Sequence, residues 1–159
     1  MASMQWHAIN NSGLPKLTIR QVYCWIFDAE NRVVIVSKNG THWQLPGGKP
    51  KQGETLQAAL EREVYEESGI RLRKIGAYPK VFGYYVVTND PEYNNIDYIQ
   101  LRYYIQINME LGKLAPGCDD DTEEVKYVKS VSTSELSKII PWLSVSGEYQ
   151  ELVNTRSII

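Results

Sequence analysis

Glu63, Glu66 and Glu67 stand at i, i+3 and i+4, a spacing that brings three carboxylates out within about one turn on one face of a helix. Like charges so placed repel, weaken a bare helix and push each other's pKa upward. A hard divalent cation reverses the sign of that effect. Mg2+ takes carboxylate oxygen, keeps several waters and uses its remaining positions for phosphate oxygens. The chemistry implied is hydrolysis at phosphorus, where charge must be neutralised and an attacking water activated.

The residues before this segment extend the pattern. Gly47-Gly48 lets the backbone approach a ligand closely, because no Cβ intervenes. Lys49 and Lys51 flank that loop and could meet phosphate charge. Arg62, next to Glu63, could hold a neighbouring carboxylate by a bidentate contact. Each feature alone has a plainer explanation: a solvated acidic helix face, a simple turn, an i,i+4 partner for Glu66. Their joint spacing carries the argument.

These side chains need a rigid support. Thr55 to Ser68 reads as the one strong helix, with Thr55 as N-cap, Leu56, Ala59, Leu60 and Val64 at helical spacing, and Gly69 as the stop. Its apolar face anchors it to a sheet. Leu17 to Phe27 and Val33 to Val36 read as strands of an early hairpin, joined by a turn at Asp28 to Asn31. Trp43 to Pro46 reads as a strand end breaking into Gly47-Gly48. Arg71 to Thr88 and Ile96 to Ile107 read as long strands split by Asn89-Asp90-Pro91, and Gly112 to Glu123 as an acidic loop. Val125 to Val128 reads as a short strand. A helix capped by Ser132 or Ser134 runs towards Ile140, and a further short one lies near Glu148 to Val153. The fold class expected is α/β or α+β, a mixed β-sheet sandwiched between α-helices in a single domain over residues 1–159.

The 159 residues suffice for one real core, and 43% apolar with 23% charged residues is an average globular composition. A net charge of −2 argues against binding to bulk DNA or RNA, which needs a basic surface. It does not exclude a small anionic substrate held by a few local cations. Cys24 and Cys118 suggest no disulfide framework and are expected to be reduced and structural, which fits a cytoplasmic protein. The first residues, with Gln5, Trp6 and His7, lack the apolar run of a leader, and no stretch reaches the roughly 20 apolar residues of a membrane span. Oligomeric state is not legible in the chain.

Gly48, Glu54, Arg62, Glu63, Val64, Glu66, Glu67, Gly69 and Ile70 match without a gap the 23-residue box of the Nudix hydrolases, which this chain resembles. Chance would produce such a match on the order of once in a million for a chain this short. Trp43-Gln-Leu-Pro-Gly-Gly48 resembles the usual run into the box, and Glu124 to Val128 with Glu135-Leu136 resembles the family's late strand and helix. The resemblance implies hydrolysis of a nucleoside diphosphate linked to another moiety, with Mg2+ as cofactor and Mn2+ as its substitute. It implies Glu63, Glu66, Glu67 and the Gly47 carbonyl as metal ligands, and Glu63 or Glu67 as general base. It further implies that Arg62 orients a glutamate and that Glu54 braces the loop. An extra acidic ligand from a late loop is a family habit; Asp119, Asp120, Asp121, Glu123 and Glu124 lie in that stretch, and Glu124 is carried as the candidate.

The substrate is less legible. The run from Val34 to Pro46 lacks the pattern of the coenzyme A branch, and Tyr84-Tyr85 stands where ADP-sugar pyrophosphatases tend to carry a proline. A tyrosine there is associated with dinucleoside polyphosphate hydrolases. The short chain ranks a nucleoside triphosphate pyrophosphohydrolase first, ahead of dinucleoside polyphosphate or nucleotide-sugar hydrolysis and of a non-catalytic nucleotide sensor. Gly48, Lys49, Lys38 and Tyr85 are the substrate-binding candidates. Trp25, Trp43, Phe82 and Tyr84 could stack on a base, although packing in the sheet is the default for each.

Overall fold

The computed structural model describes residues 1–76, 78–117 and 125–156. The elements run β1 (Ser3–Ala8), β2 (Thr18–Phe27), β3 (Val33–Ser37), β4 (Trp43–Gln44), β5 (Gly47–Gly48), α1 (Leu56–Ser68), β6 (Lys80–Thr88), β7 (Tyr98–Gln106), β8 (Tyr127–Val131), α2 (Thr133–Ile139), α3 (Pro141–Ser144) and α4 (Gly147–Arg156). The strands form one sheet in the order β1-β6-β7-β2-β3-β4, with β5 added to β2 and β8 to β3. β2 and β7 run parallel while their neighbours pair antiparallel, so the sheet is mixed, as expected.

Alternation along β2 shows how the sheet separates two cores. Val22, Cys24 and Ile26 point to one face, where they meet Ala59, Leu60 and Val64 of α1. Trp25 and Phe27 point to the other, with Leu136, Leu143 and Leu152 from α2, α3 and α4 and with Ile140 between α2 and α3. Helices therefore cover both faces. The Thr55 hydroxyl accepts from the Ala58 amide at 3.1 Å to cap α1, which stops at Gly69 with φ at 79°. Cys24 is a buried free thiol, and desolvation pushes its pKa upward; Cys118 lies outside the described residues.

The structure differs from the expectation at three places. The strand expected from Arg71 begins only at Lys80, because Leu72–Lys74 form a 3-10 turn that drops Leu72 into the core. The late strand lies at Tyr127–Val131 rather than from Val125, in register with β3 through Val131 opposite Val33. The first residues, unassigned from sequence, form edge strand β1 against β6. Only Trp6 in β1 packs into the interior clusters, so no alternating apolar pattern marks this strand. No helix among the described residues is long and apolar enough to cross a membrane.

Candidate active site

The turn before α1 and the last two turns of α1 meet through one short bond. The Gly47 amide donates to Glu67 Oε1 at 2.7 Å. Gly47 pairs with Tyr23 in the β2–β5 ladder and has φ at 152°, where a side chain would collide with the Val22 carbonyl and the Tyr23 ring. At Gly48 a Cβ would fall 2.5 Å from Glu63 Oε1. The two glycines thus allow backbone and carboxylates to share a space too narrow for side chains.

Arg62 organises the rest. Its Nε and Nη2 donate to the two carboxylate oxygens of Glu54 at 2.8 and 2.9 Å, a bidentate fork. Nη1 donates to Glu63 Oε1 at 3.0 Å and to Glu66 Oε2 at 3.3 Å, and Nη2 also reaches the Lys49 carbonyl at 3.1 Å. Glu54 Oε1 in turn accepts from the Lys51 amide at 2.9 Å. One guanidinium therefore ties the loop to three glutamates. Its hydrogen bonds to Glu54 hold that carboxyl down at about 2.

The buried glutamates behave in the opposite way. Glu67 is only 8% exposed, and burial pushes its carboxyl up to about 8 against the Gly47 hydrogen bond, with Glu63 and Glu66 adding to the rise. Glu63 is raised too, by burial first, with Arg62 opposing. Among the described residues no three acidic, His or Cys side chains converge on a single point, since Glu63 and Glu66 both turn to Arg62. Two desolvated carboxylates beside a third make a site short of positive charge, and oxygen donors of this kind fit a hard divalent cation.

The remaining candidates scatter. The Lys38 charge lowers the pKa of Glu67 and so acts on the site. Lys49 points to Glu92, at 2.8 Å, in an exposed ion pair near the Tyr93 ring. Tyr85 is 5% exposed and donates its hydroxyl to Glu148 Oε2 at 2.8 Å, so it is committed to the interior. Trp25 and Phe82 are core residues, Tyr84 stacks on His7, and Trp43 carries Lys129 over its ring. Packing in the sheet core or its edge, the default for these aromatics, holds for Trp25, Phe82 and Tyr84, which are buried, and for Trp43, which packs against the second core cluster. Glu124, with Asp119, Asp120, Asp121 and Glu123, lies outside the described residues.

Sequence reading passed over Arg102 and Glu148. Glu148 is fully buried at the start of α4, where it accepts from Arg102 Nε at 2.7 Å, Trp25 Nε1 at 2.9 Å and the Tyr85 hydroxyl. The signal available was an arginine amid the apolar run of β7.

A mixed sheet between helices, carrying an Arg-locked glutamate helix against a double-glycine turn, defines the hydrolase class that acts on phosphoanhydride bonds. The NUDIX domain profile matches residues 17–145, and the chain belongs to the Nudix family, whose members generally use divalent metal ions. It is a Nudix hydrolase. The fold is shared with solved structures of low identity. The Bacillus subtilis pyrophosphohydrolase BsRppH, as a point mutant, superposes with a TM-score of 0.68 at 18% identity, covering 98% of this chain and 91% of that one. The E. coli dihydroneopterin triphosphate pyrophosphohydrolase gives 0.61 at 14% identity, covering 87% and 99%. A C. elegans Ap4A hydrolase gives 0.61 at 12% identity, covering 89% and 100%.

Proposed function

We propose that this protein is a Mg2+-dependent nucleoside triphosphate pyrophosphohydrolase, with its site on α1 and the Gly47-Gly48 turn. The observation that carries the reading is Glu67, a buried carboxylate that accepts from the Gly47 amide and stands beside Glu63, whose charge raises its pKa further. Structural neighbours described as pyrophosphohydrolases support the choice among phosphoanhydrides, and another is described as an Ap4A hydrolase. Dinucleoside polyphosphate hydrolysis is the runner-up.

Glu63, Glu66 and Glu67, with the Gly47 backbone, would hold the ion, and Mn2+ would substitute for it. Bound there, the cation supplies charge neutralisation for the phosphoryl oxygens and lowers the pKa of water. Arg62 releases part of its hold on Glu63 and Glu66 while Glu54 keeps it in place. Glu63 or Glu67 accepts the proton of the attacking water, and burial favours that uptake. Lys38 and Lys49 meet the substrate's charge, Lys49 by leaving Glu92.

Turnover of a panel of nucleoside triphosphates, dinucleoside polyphosphates and nucleotide sugars, with and without Mg2+ and with the products separated by anion-exchange chromatography, tests the reading. Metal-dependent release of pyrophosphate from a triphosphate is expected. Tight binding of a nucleotide without turnover of any panel member would make the protein a sensor and refute the reading.

A further inference from the structure

Lys49, the residue that follows the double-glycine turn, is already engaged by an anion. Its Nζ donates to Glu92 Oε1 at 2.8 Å, in a pair whose side chains are 56% and 64% exposed. The bond spans 43 residues and ties the turn before α1 to the loop between β6 and β7. It lies close to the glutamate site, because Lys49 stands two residues from Gly47, whose amide donates to Glu67.

The loop holds Glu92 in that place. Pro91–Tyr93 form a 3-10 turn, capped by Asp90, which accepts from the Glu92 amide at 3.0 Å. The other Asp90 carboxylate oxygen takes the Tyr98 hydroxyl at 2.7 Å. Asn89, Asn94 and Asn95 flank the turn with φ of 58°, 55° and 59°, the left-handed conformation that asparagine tolerates. The Tyr93 ring packs on Tyr98 with centroids 4.6 Å apart, and two cations stand over it, Arg20 at 4.8 Å and Lys49 at 5.3 Å. Arg20 is the extra residue where β2 slips register against β7, between Ile19 and Gln21, and such bulges re-aim a side chain. The turn does not depend on the Lys49–Glu92 pair for its shape, since Asp90, Tyr98 and Arg20 hold it, and an exposed pair adds little stability.

We propose that Glu92 is an internal competitor for the substrate's phosphate chain. Its carboxylate holds Lys49 in the free enzyme and yields it to a phosphate on binding. This rests on the hydrolase reading and adds a residue that sets affinity for the triphosphate. A carboxylate carries one negative charge and a terminal phosphate close to two, so Lys49 passes to the phosphate. The exchange needs only the rotation of side chains, because the backbone of the turn stays capped by Asp90 and Tyr93 stays packed on Tyr98.

Glu92→Gln removes the competing charge and keeps the backbone bond to Asp90. It is expected to lower KM for the triphosphate turned over best by roughly two- to fivefold, the scale of an exposed ion pair, with kcat unchanged. Lys49→Met is expected to raise KM, and adding Glu92→Gln to it should change KM no further. A general easing of negative charge would instead lower KM equally in both backgrounds. Calorimetry with the α,β-methylene analogues of ATP and GTP in Mg2+ reads the same affinities without turnover. An unchanged KM in Glu92→Gln, or the same fall in the Lys49→Met background, would overturn the competitor while leaving hydrolysis in place. Lys49-dependent tightening of analogue binding in Glu92→Gln, with no triphosphate hydrolysed, would uphold the competitor and remove the hydrolase reading.

Discussion

The Gly47 amide and the Glu67 carboxylate are 20 residues apart in the chain and 2.7 Å apart in space, which makes the turn before α1 and the C-terminal part of that helix a single unit. A shift of either end moves the other, and the bond sets the position of the most buried carboxylate on α1.

Glu67→Gln is expected to lower kcat roughly 10²–10⁴-fold, the usual scale for loss of a general base. The glutamine oxygen can still accept from Gly47, so near-ultraviolet circular dichroism should be unchanged. Turnover within a few-fold of wild type in a folded variant would remove Glu67 from the site.

Metal-free protein is expected to lose stability as pH rises from about 5 to about 8. The Glu67 carboxyl is raised from 4.5 to about 8 on folding, so over that range the folded state holds a proton that the unfolded chain has lost. Below 4.5 both states are protonated and the stability is fully present. Glu54, lowered to about 2, works the other way and withdraws stability as pH falls towards 2. Urea titrations in EDTA should show the decline, which Mg2+ should relieve and Glu67→Gln should flatten. Stability that is constant or rising from pH 5 to 8 would contradict the burial of a charge there.

Arg62→Lys exchanges a fork for a point charge and cannot satisfy Glu54, Glu63 and Glu66 together. Displacement of the glutamates by a fraction of an ångström to an ångström is expected to reduce kcat by up to about 10²-fold, with smaller change in KM. Loss of the charge-assisted bonds should cost about 1–3 kcal/mol in chemical denaturation. A lysine variant with wild-type kcat would show that the fork positions nothing.

Glu148→Ala should destabilise the protein by about 3–5 kcal/mol, because it strands Arg102 inside the molecule and removes the acceptor of Trp25 and Tyr85. Removing both charges together should cost less than the sum of the single changes, which a double-mutant cycle measures by thermal unfolding. Strict additivity would mean that the pair is not coupled.

Helix α1 was legible from its residues because everything that defines it is local: a threonine cap, apolar spacing, a glycine stop and carboxylates on one face. The strands β2 and β7 were legible for a similar reason, being long β-branched and aromatic runs. Edge strand β1 was not, since backbone pairing with β6 makes it a strand while only Trp6 enters the core clusters. Position after the box makes Tyr85 a substrate-contact candidate but says nothing about direction; burial beside Trp6 and the bond to Glu148 decide that.

Chain-local order was thus enough for the family, the chemistry and the identity of the glutamate helix, because spacing of 3 and 4 residues on a helix is itself a geometry. The neighbour of each glutamate, the burial that shifts Glu67, and the union of Arg102 with Glu148 across 46 residues came only with folding. Those depend on which strands lie side by side, and parallel pairing of β2 with β7 brings together residues that no local pattern connects. The glutamates proposed to do the chemistry are a property of the helix; the Arg102–Glu148 pair is a property of the fold.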